Sequence, residues 1–144
     1  MSFKILIVDD EKEIRDSLAL RYELQGYETL VAKNGKEALK ILSEKKVNIV
    51  ISDIMMPVMN GVQLMKVIRQ EFPMIKVIMI TGYVTLDNAL ACYRYGAYNV
   101  VFKPFEDLKE LDNNVMELKQ YLTRWQKKLS TLVNMKPKSE ATNG

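Results

Sequence analysis

Four places in this 144-residue chain put a chemically able side chain directly after an apolar, β-branched run. Asp9-Asp10-Glu11 follows Phe3–Val8, and Asp53 follows Asn48-Ile49-Val50-Ile51-Ser52. Thr81 follows Lys76–Ile80, and Lys103 follows Tyr98–Phe102. A carboxylate on a rigid strand end can ligate a metal, attack an electrophile or cap a helix. Like charges about 4 Å apart cost roughly 4 kcal/mol at an effective dielectric near 20, so converging carboxylates need a proton or a cation among them. The chain has no histidine. That removes His bases, His triads and His metal sites, and leaves oxygen ligands that suit a hard cation such as Mg2+, which keeps waters and accepts phosphate oxygens. A carboxylate nucleophile, a divalent ion, an ammonium and a hydroxyl together can accept a phosphoryl group. Asp53 would attack to give an aspartyl-phosphate, while the ion and Lys103 neutralise charge on the transferring oxygens.

These residues need elements to position them. Phe3–Val8, Glu28–Ala32, Val47–Ile51, Lys76–Ile80 and Tyr98–Phe102 read as strands. The third is apolar on both faces, as in the middle of a parallel sheet. Helical spacing follows each strand, through Ile14–Leu24, Asn34–Lys46, Val62–Ile68 and Thr85–Tyr95, with a long pattern from Phe105. Gly26 stops the first helix, and Pro73 the third. Five β-α repeats predict an α/β, flavodoxin-like doubly wound parallel sheet with strand order 2-1-3-4-5 and an extended C-terminal helix. The topological switch point of that order lies between the strands that end in Asp9-Asp10 and Asp53.

Composition narrows the class. A hydrophobic share of 48% with 27% charged residues is that of a soluble globular chain. No apolar run reaches membrane-spanning length, and no signal-peptide pattern is present. The single cysteine, Cys92, excludes an intrachain disulfide framework and agrees with a cytoplasmic location. The net charge is +3, but residues 119–144 carry six Lys or Arg against one Glu, which leaves −2 on the body. A flavin or nucleotide loop of the usual kind is absent: the first loop is Asp-Asp-Glu, which repels phosphate unless a metal intervenes.

The dispersed, ordered motifs resemble a response-regulator receiver domain of bacterial two-component signalling. They are Asp9-Asp10; Asp53 with Met55-Met56-Pro57 and Asn60-Gly61; Thr81-Gly82; and Lys103-Pro104-Phe105. The resemblance covers about residues 2–122. It implies that Asp53 is the phosphoacceptor. It implies Mg2+ held by Asp10, Asp53 and the Met55 backbone carbonyl, with Asp9 acting through water. Thr81 and Lys103 would bind the phosphoryl oxygens, and Lys103-Pro104 would be a cis peptide. The donor would be a sensor histidine kinase or a phosphotransfer protein. The protein would be a switch rather than an enzyme, with self-catalysed transfer to Asp53 and slow autodephosphorylation. Two positions depart from the family pattern. Val100 stands where such domains often carry an aromatic switch residue, and Tyr98 and Asn99 stand where a charged dimer face often carries acids.

Two other functions fit parts of the pattern. A Mg2+-dependent phosphatase with an aspartyl nucleophile wants a second Asp two residues on, where this chain has Met55 after Asp53 and Glu11 after Asp9. A degenerate receiver would serve only as a dimerisation module. The expected organisation is a receiver domain over 1–122, a helical extension or coiled-coil linker over 123–135 and a disordered tail over 136–144. Leu108, Leu111, Val115, Leu118, Leu122, Trp125, Leu129 and Leu132 alternate spacings of three and four, a heptad seam. The first half is explained by a core. Leu122, Trp125, Leu129 and Leu132 are expected to form the seam of a parallel homodimer. Direct DNA binding by this chain and membrane attachment are not expected.

Overall fold

The structure is a computed structural model that describes residues 3–104 and 107–135. Five strands and five helices alternate: β1 Lys4–Val8, α1 Lys12–Leu24, β2 Glu28–Ala32, α2 Gly35–Glu44, β3 Ile49–Asp53, α3 Gly61–Glu71, β4 Lys76–Thr81, α4 Leu86–Arg94, β5 Asn99–Phe102 and α5 Lys109–Asn134. All pairings are parallel and the order is β2-β1-β3-β4-β5, as the alternation predicted. No described helix is long and apolar enough to cross a membrane.

The two-residue alternation of a strand divides the core. Leu6, Val8, Val50, Val77 and Met79 face α2, α3 and α4 with Ala38, Leu42, Leu64, Ile68 and Cys92. Ile5, Ile7, Ile49, Ile51, Ile78, Ile80 and Val101 face α1 and α5 with Leu18, Tyr22, Leu111, Val115 and Leu118. Each fully buried Ile or Leu contributes about 1.5–3 kcal/mol of transfer free energy, so both layers are needed to offset chain entropy. α4 is the lightest attachment, with Cys92 its only buried residue.

The helix ends follow from local chemistry. Asn34, Asn60 and Thr85 cap α2, α3 and α4 by accepting from the N–H of Glu37, Gln63 and Asn88. At α3 the Gln63 side chain returns the bond, closing a capping box. Gly26, at φ +96°, ends α1 in the left-handed region that disfavours other residues.

Two expectations for the last helix change. It begins at Lys109 rather than Phe105, because Asp107 and Leu108 lie before its first turn; Phe105 itself falls outside the described residues. Its 26 residues span about 39 Å at 1.5 Å each. Leu122, expected to be free for a partner, is half-buried against the α1/α5 face of the core. Trp125, Leu129 and Leu132 are exposed beyond it. The tail over 136–144 lies outside the described residues.

Arg21 and Tyr22 of α1 tie α5 to the body. Arg21 Nε donates to Asp112 Oδ1 at 3.0 Å, and its second nitrogen donates to Asp112 Oδ2. The buried Tyr22 hydroxyl donates to Asp112 Oδ1 at 2.9 Å. Burial works against ionised Asp112, but the Arg21 and Tyr22 hydrogen bonds outweigh it and hold the carboxyl below its usual range.

Candidate phosphoacceptor site

The alternation that builds the core also decides which site residues meet. Asp9 continues the row Ile5, Ile7; Asp53 continues Ile49, Ile51; Lys103 continues Val101. The β1–β3 register pairs Val8 with Ser52, so Asp9 and Asp53 emerge side by side at the carboxyl edge. Lys103 Nζ lies between them, 2.9 Å from Asp9 Oδ2, 3.1 Å from Asp53 Oδ2 and 3.1 Å from Glu11 Oε1. The ammonium is nearly buried, with its side chain 8% exposed, and so are both aspartates.

Oxygens of Asp9, Asp10, Glu11 and Asp53 all lie within 4.8 Å of one another, the acidic cluster of the described residues. Asp10 and Glu11 are exposed while Asp9 and Asp53 are buried. The sequence did not assign Glu11 a contact; its place just after the paired acids was the available sign. One ammonium among several carboxylates leaves an excess of negative charge. Burial, the largest influence, pushes the Asp9 and Asp53 carboxyls above the usual range against the pull of Lys103. Burial alone would lower the Lys103 pKa, but its hydrogen bonds to Asp9 and Asp53 outweigh that and raise it. An all-oxygen donor set with surplus negative charge and two exposed members fits a hard divalent cation.

Thr81 belongs to the other row, after Val77 and Met79. Its hydroxyl donates to Tyr83 O at 2.7 Å and accepts from Tyr83 N at 3.3 Å. The structure therefore sets Thr81 at the same edge without bonding its hydroxyl to Asp53 or Lys103. Its backbone does meet that of Lys103, whose N donates to Thr81 O at 2.7 Å. The Lys103-Pro104 peptide is cis.

The loop from Ile54 to Asn60 closes the site. Met55 N donates weakly to Asp53 Oδ1 at 3.4 Å, and the Met55 side chain is exposed. Gly61 opens α3 under the strand end, with its N–H on Ile54 O at 2.8 Å. A Cβ there would stand 2.3 Å from Asp53 O, so only glycine permits this approach.

The two departures have structural counterparts. Val100 packs into the core face of the sheet, and Phe102 is exposed at its edge. Tyr98 and Asn99 turn to α5, where Tyr98 Oη donates to Glu117 Oε1 at 3.0 Å and Asn99 Nδ2 to Asn114 Oδ1 at 2.9 Å.

A five-stranded doubly wound sheet with paired aspartates, a central aspartate and a lysine on its carboxyl edge defines a class of acidic-edge α/β domains. Within that class, the profile of the response regulator receiver domain matches residues 5–116, and the chain belongs to that family. It is 40% identical over 109 residues to Regulatory protein AtoC of Escherichia coli, covering 76% of this chain and 23% of that protein. A putative NtrX-like response regulator of Rickettsia bellii is 40% identical over 107 residues, covering 73% of this chain and 22% of the relative. The chain thus spans about a quarter of the length of these relatives. Among solved structures, a CheY-like receiver domain protein of Methanospirillum hungatei superposes with TM-score 0.78 at 31% identity, covering 86% of this chain and 99% of that one. The response regulator TrrA of Thermotoga maritima, solved in complex with Mg2+-BeF, gives 0.73 at 35% identity, covering 81% and 98%.

Proposed function

We propose that this chain is a phosphorylation switch whose acceptor is Asp53. The observation that carries it is the buried Asp53 carboxylate held 3.1 Å from Lys103 Nζ at the mouth of an all-oxygen cluster. An Asp53 oxygen attacks the phosphorus of a phosphohistidine on a sensor kinase or phosphotransfer protein. The new P–O bond forms as the P–N bond breaks, and the imidazole leaves and takes up a proton. A groove lined by Ile14, Ser17, Leu18, Lys103, Pro104 and Leu108 opens beside Lys103 and offers the donor an approach.

Asp9, Asp10, Asp53 and the Met55 carbonyl would hold Mg2+, with Glu11 at the rim. The cation supplies charge neutralisation on the phosphoryl oxygens. Lys103 is already charged and beside Asp53, and its three N–H donors serve Asp9, Glu11 and Asp53, so it meets the incoming phosphoryl group by releasing one of these carboxylates. Thr81 has one hydroxyl proton, now given to Tyr83 O. Donating it to a phosphoryl oxygen breaks that bond and frees the segment leading to α4. This gives the switch a route that needs no aromatic at Val100. Slow autodephosphorylation by water at the same phosphorus would reset it.

Acetyl phosphate with Mg2+ should add one phosphate to the wild type by intact mass and none to Asp53→Asn. Equal labelling of both would remove Asp53 from this role.

We infer a second role for α5, the pairing of two copies. Trp125, Leu129 and Leu132 continue the heptad spacing on an exposed stripe beside a groove lined by Tyr121, Trp125, Leu132 and Met135. A bare stripe of this kind on a projecting helix wants a partner, and an unsupported overhang is marginal as a helix. Leu129→Lys with Leu132→Lys should turn a dimer into a monomer in light scattering across a concentration series. These positions are used because Leu122 also serves the core. A wild-type monomer at every concentration would sink the pairing.

A further inference from the structure

Val58 has φ +72°, the one positive value on a non-glycine among the described residues. Met59 N folds back on Pro57 O at 2.8 Å and closes a γ-turn around it. A β-branched residue at such a centre is strained. Strain of this kind is worth on the order of 1–3 kcal/mol and persists only where the surroundings impose it. The turn lies in the Ile54–Asn60 loop, which also carries Met55.

That loop is pinned at its base by Gly61 N on Ile54 O, and at its end by the Asn60–Gln63 capping box. The third pin comes from a different element. Gly35, first residue of α2, donates its N–H to Met59 O at 3.3 Å. The Met59 side chain occupies the space where a Gly35 side chain would be. A Cβ on Gly35 would stand 2.8 Å from Met59 Cγ, 2.9 Å from Sδ and 3.0 Å from Cβ. Met59 has little freedom to give way, because it packs against the α2/α3 core and its own Cβ is among the contacts.

Gly35 is not required by the chain's own path. Its φ lies outside the left-handed region. The residue that needs a bare Cα here is Met59.

We propose that Gly35 is a positioning residue for the cation site. Its bare Cα leaves Met59 its place and its N–H holds the Met59 carbonyl, so nothing pushes the strained turn open or the Met55 segment away from Asp53. The proposal rests on the cation reading above and extends the site to a residue on the far side of the loop. It is a remote support of the kind that orients a metal ligand.

The test is Mg2+ affinity by calorimetry, with far-UV dichroism to confirm folding. Gly35→Ala should keep the wild-type spectrum and bind Mg2+ about tenfold more weakly, the scale of losing an outer-shell support. Adding Met59→Ala removes Cγ and Sδ, reopens the space and should restore most of that loss. A clash that only destabilised the fold would lower the melting temperature and leave the Mg2+ affinity of the folded protein unchanged. Should Gly35→Ala fail to fold, the double variant is compared with Met59→Ala alone: equal affinities support the proposal, and a weaker double variant overturns it. A Gly35→Ala protein that binds like wild type, or a double variant no better than the single, overturns this proposal alone. A wild type indifferent to Mg2+ overturns the cation reading and the proposal with it.

Discussion

Lys103 Nζ stands 3.1 Å from Asp53 Oδ2, reaching it from the residue just beyond an edge strand, 50 positions away in sequence. The same ammonium holds Asp9 at 2.9 Å, so one cation is shared by two buried carboxylates. Lys103→Met leaves both uncompensated, and removing one partner of a buried ion pair costs about 3 kcal/mol. Without the lysine the native carboxyls rise further above their unfolded pKa, so the folded state binds more protons and stability falls as pH rises. Urea unfolding should show Lys103→Met most destabilised near pH 8, with the deficit shrinking towards pH 4. A deficit independent of pH would assign the loss to packing instead.

Asp112 gives the opposite pH dependence. Its folded pKa is depressed, so its contribution is present above the unfolded value, about 3.9, and is lost as pH falls through the folded one. Asp112→Asn should cost about 1–2 kcal/mol at pH 7, the value of charge-assisted bonds discounted for the partly exposed Arg21. As pH falls through the depressed folded value, the variant and wild type should converge. Parallel pH curves would count against the Arg21–Asp112 tie.

Gly61→Ala places a methyl 2.3 Å from the Asp53 carbonyl oxygen. Backbone, not a flexible side chain, must then move. We expect a loss of about 3 kcal/mol, the upper range for overpacking, together with loss of labelling by acetyl phosphate. A stable variant that labels normally would show that the strand end tolerates displacement.

Val58 is exposed, so its substitution tests backbone strain with little loss of packing. Val58→Asn, a residue that tolerates positive φ, should stabilise the domain by roughly 1 kcal/mol in thermal unfolding. An unchanged or lower melting temperature would mean that the turn is not strained.

The strands and their order were legible because apolar β-branched runs with helical spacing between them admit few arrangements. The site was legible for the same reason: Asp9, Asp53, Thr81 and Lys103 each follow such a run directly. What depends on packing between distant elements was not. Glu11 joins Lys103 across 92 residues, and Arg21 meets Asp112 across 91, pairings that periodicity cannot assign. Thr81 sits one strand parity away from Asp53, so its hydroxyl bonds Tyr83 rather than the acid cluster. Leu122 shares the spacing of both the core row and the free stripe, and only the reach of the body along α5 decides that it packs half-buried against the core.

The light attachment of α4 has a thermodynamic consequence. Cys92 is its single buried side chain, while Leu86, Leu90 and Tyr93 face outward. Detaching α4 therefore exposes far less apolar area than detaching α1, α3 or α5. We expect α4 to open at a lower free energy than global unfolding. The sealed thiol of Cys92 is then a clock for the motion: its alkylation rate counts how often α4 lifts from the sheet.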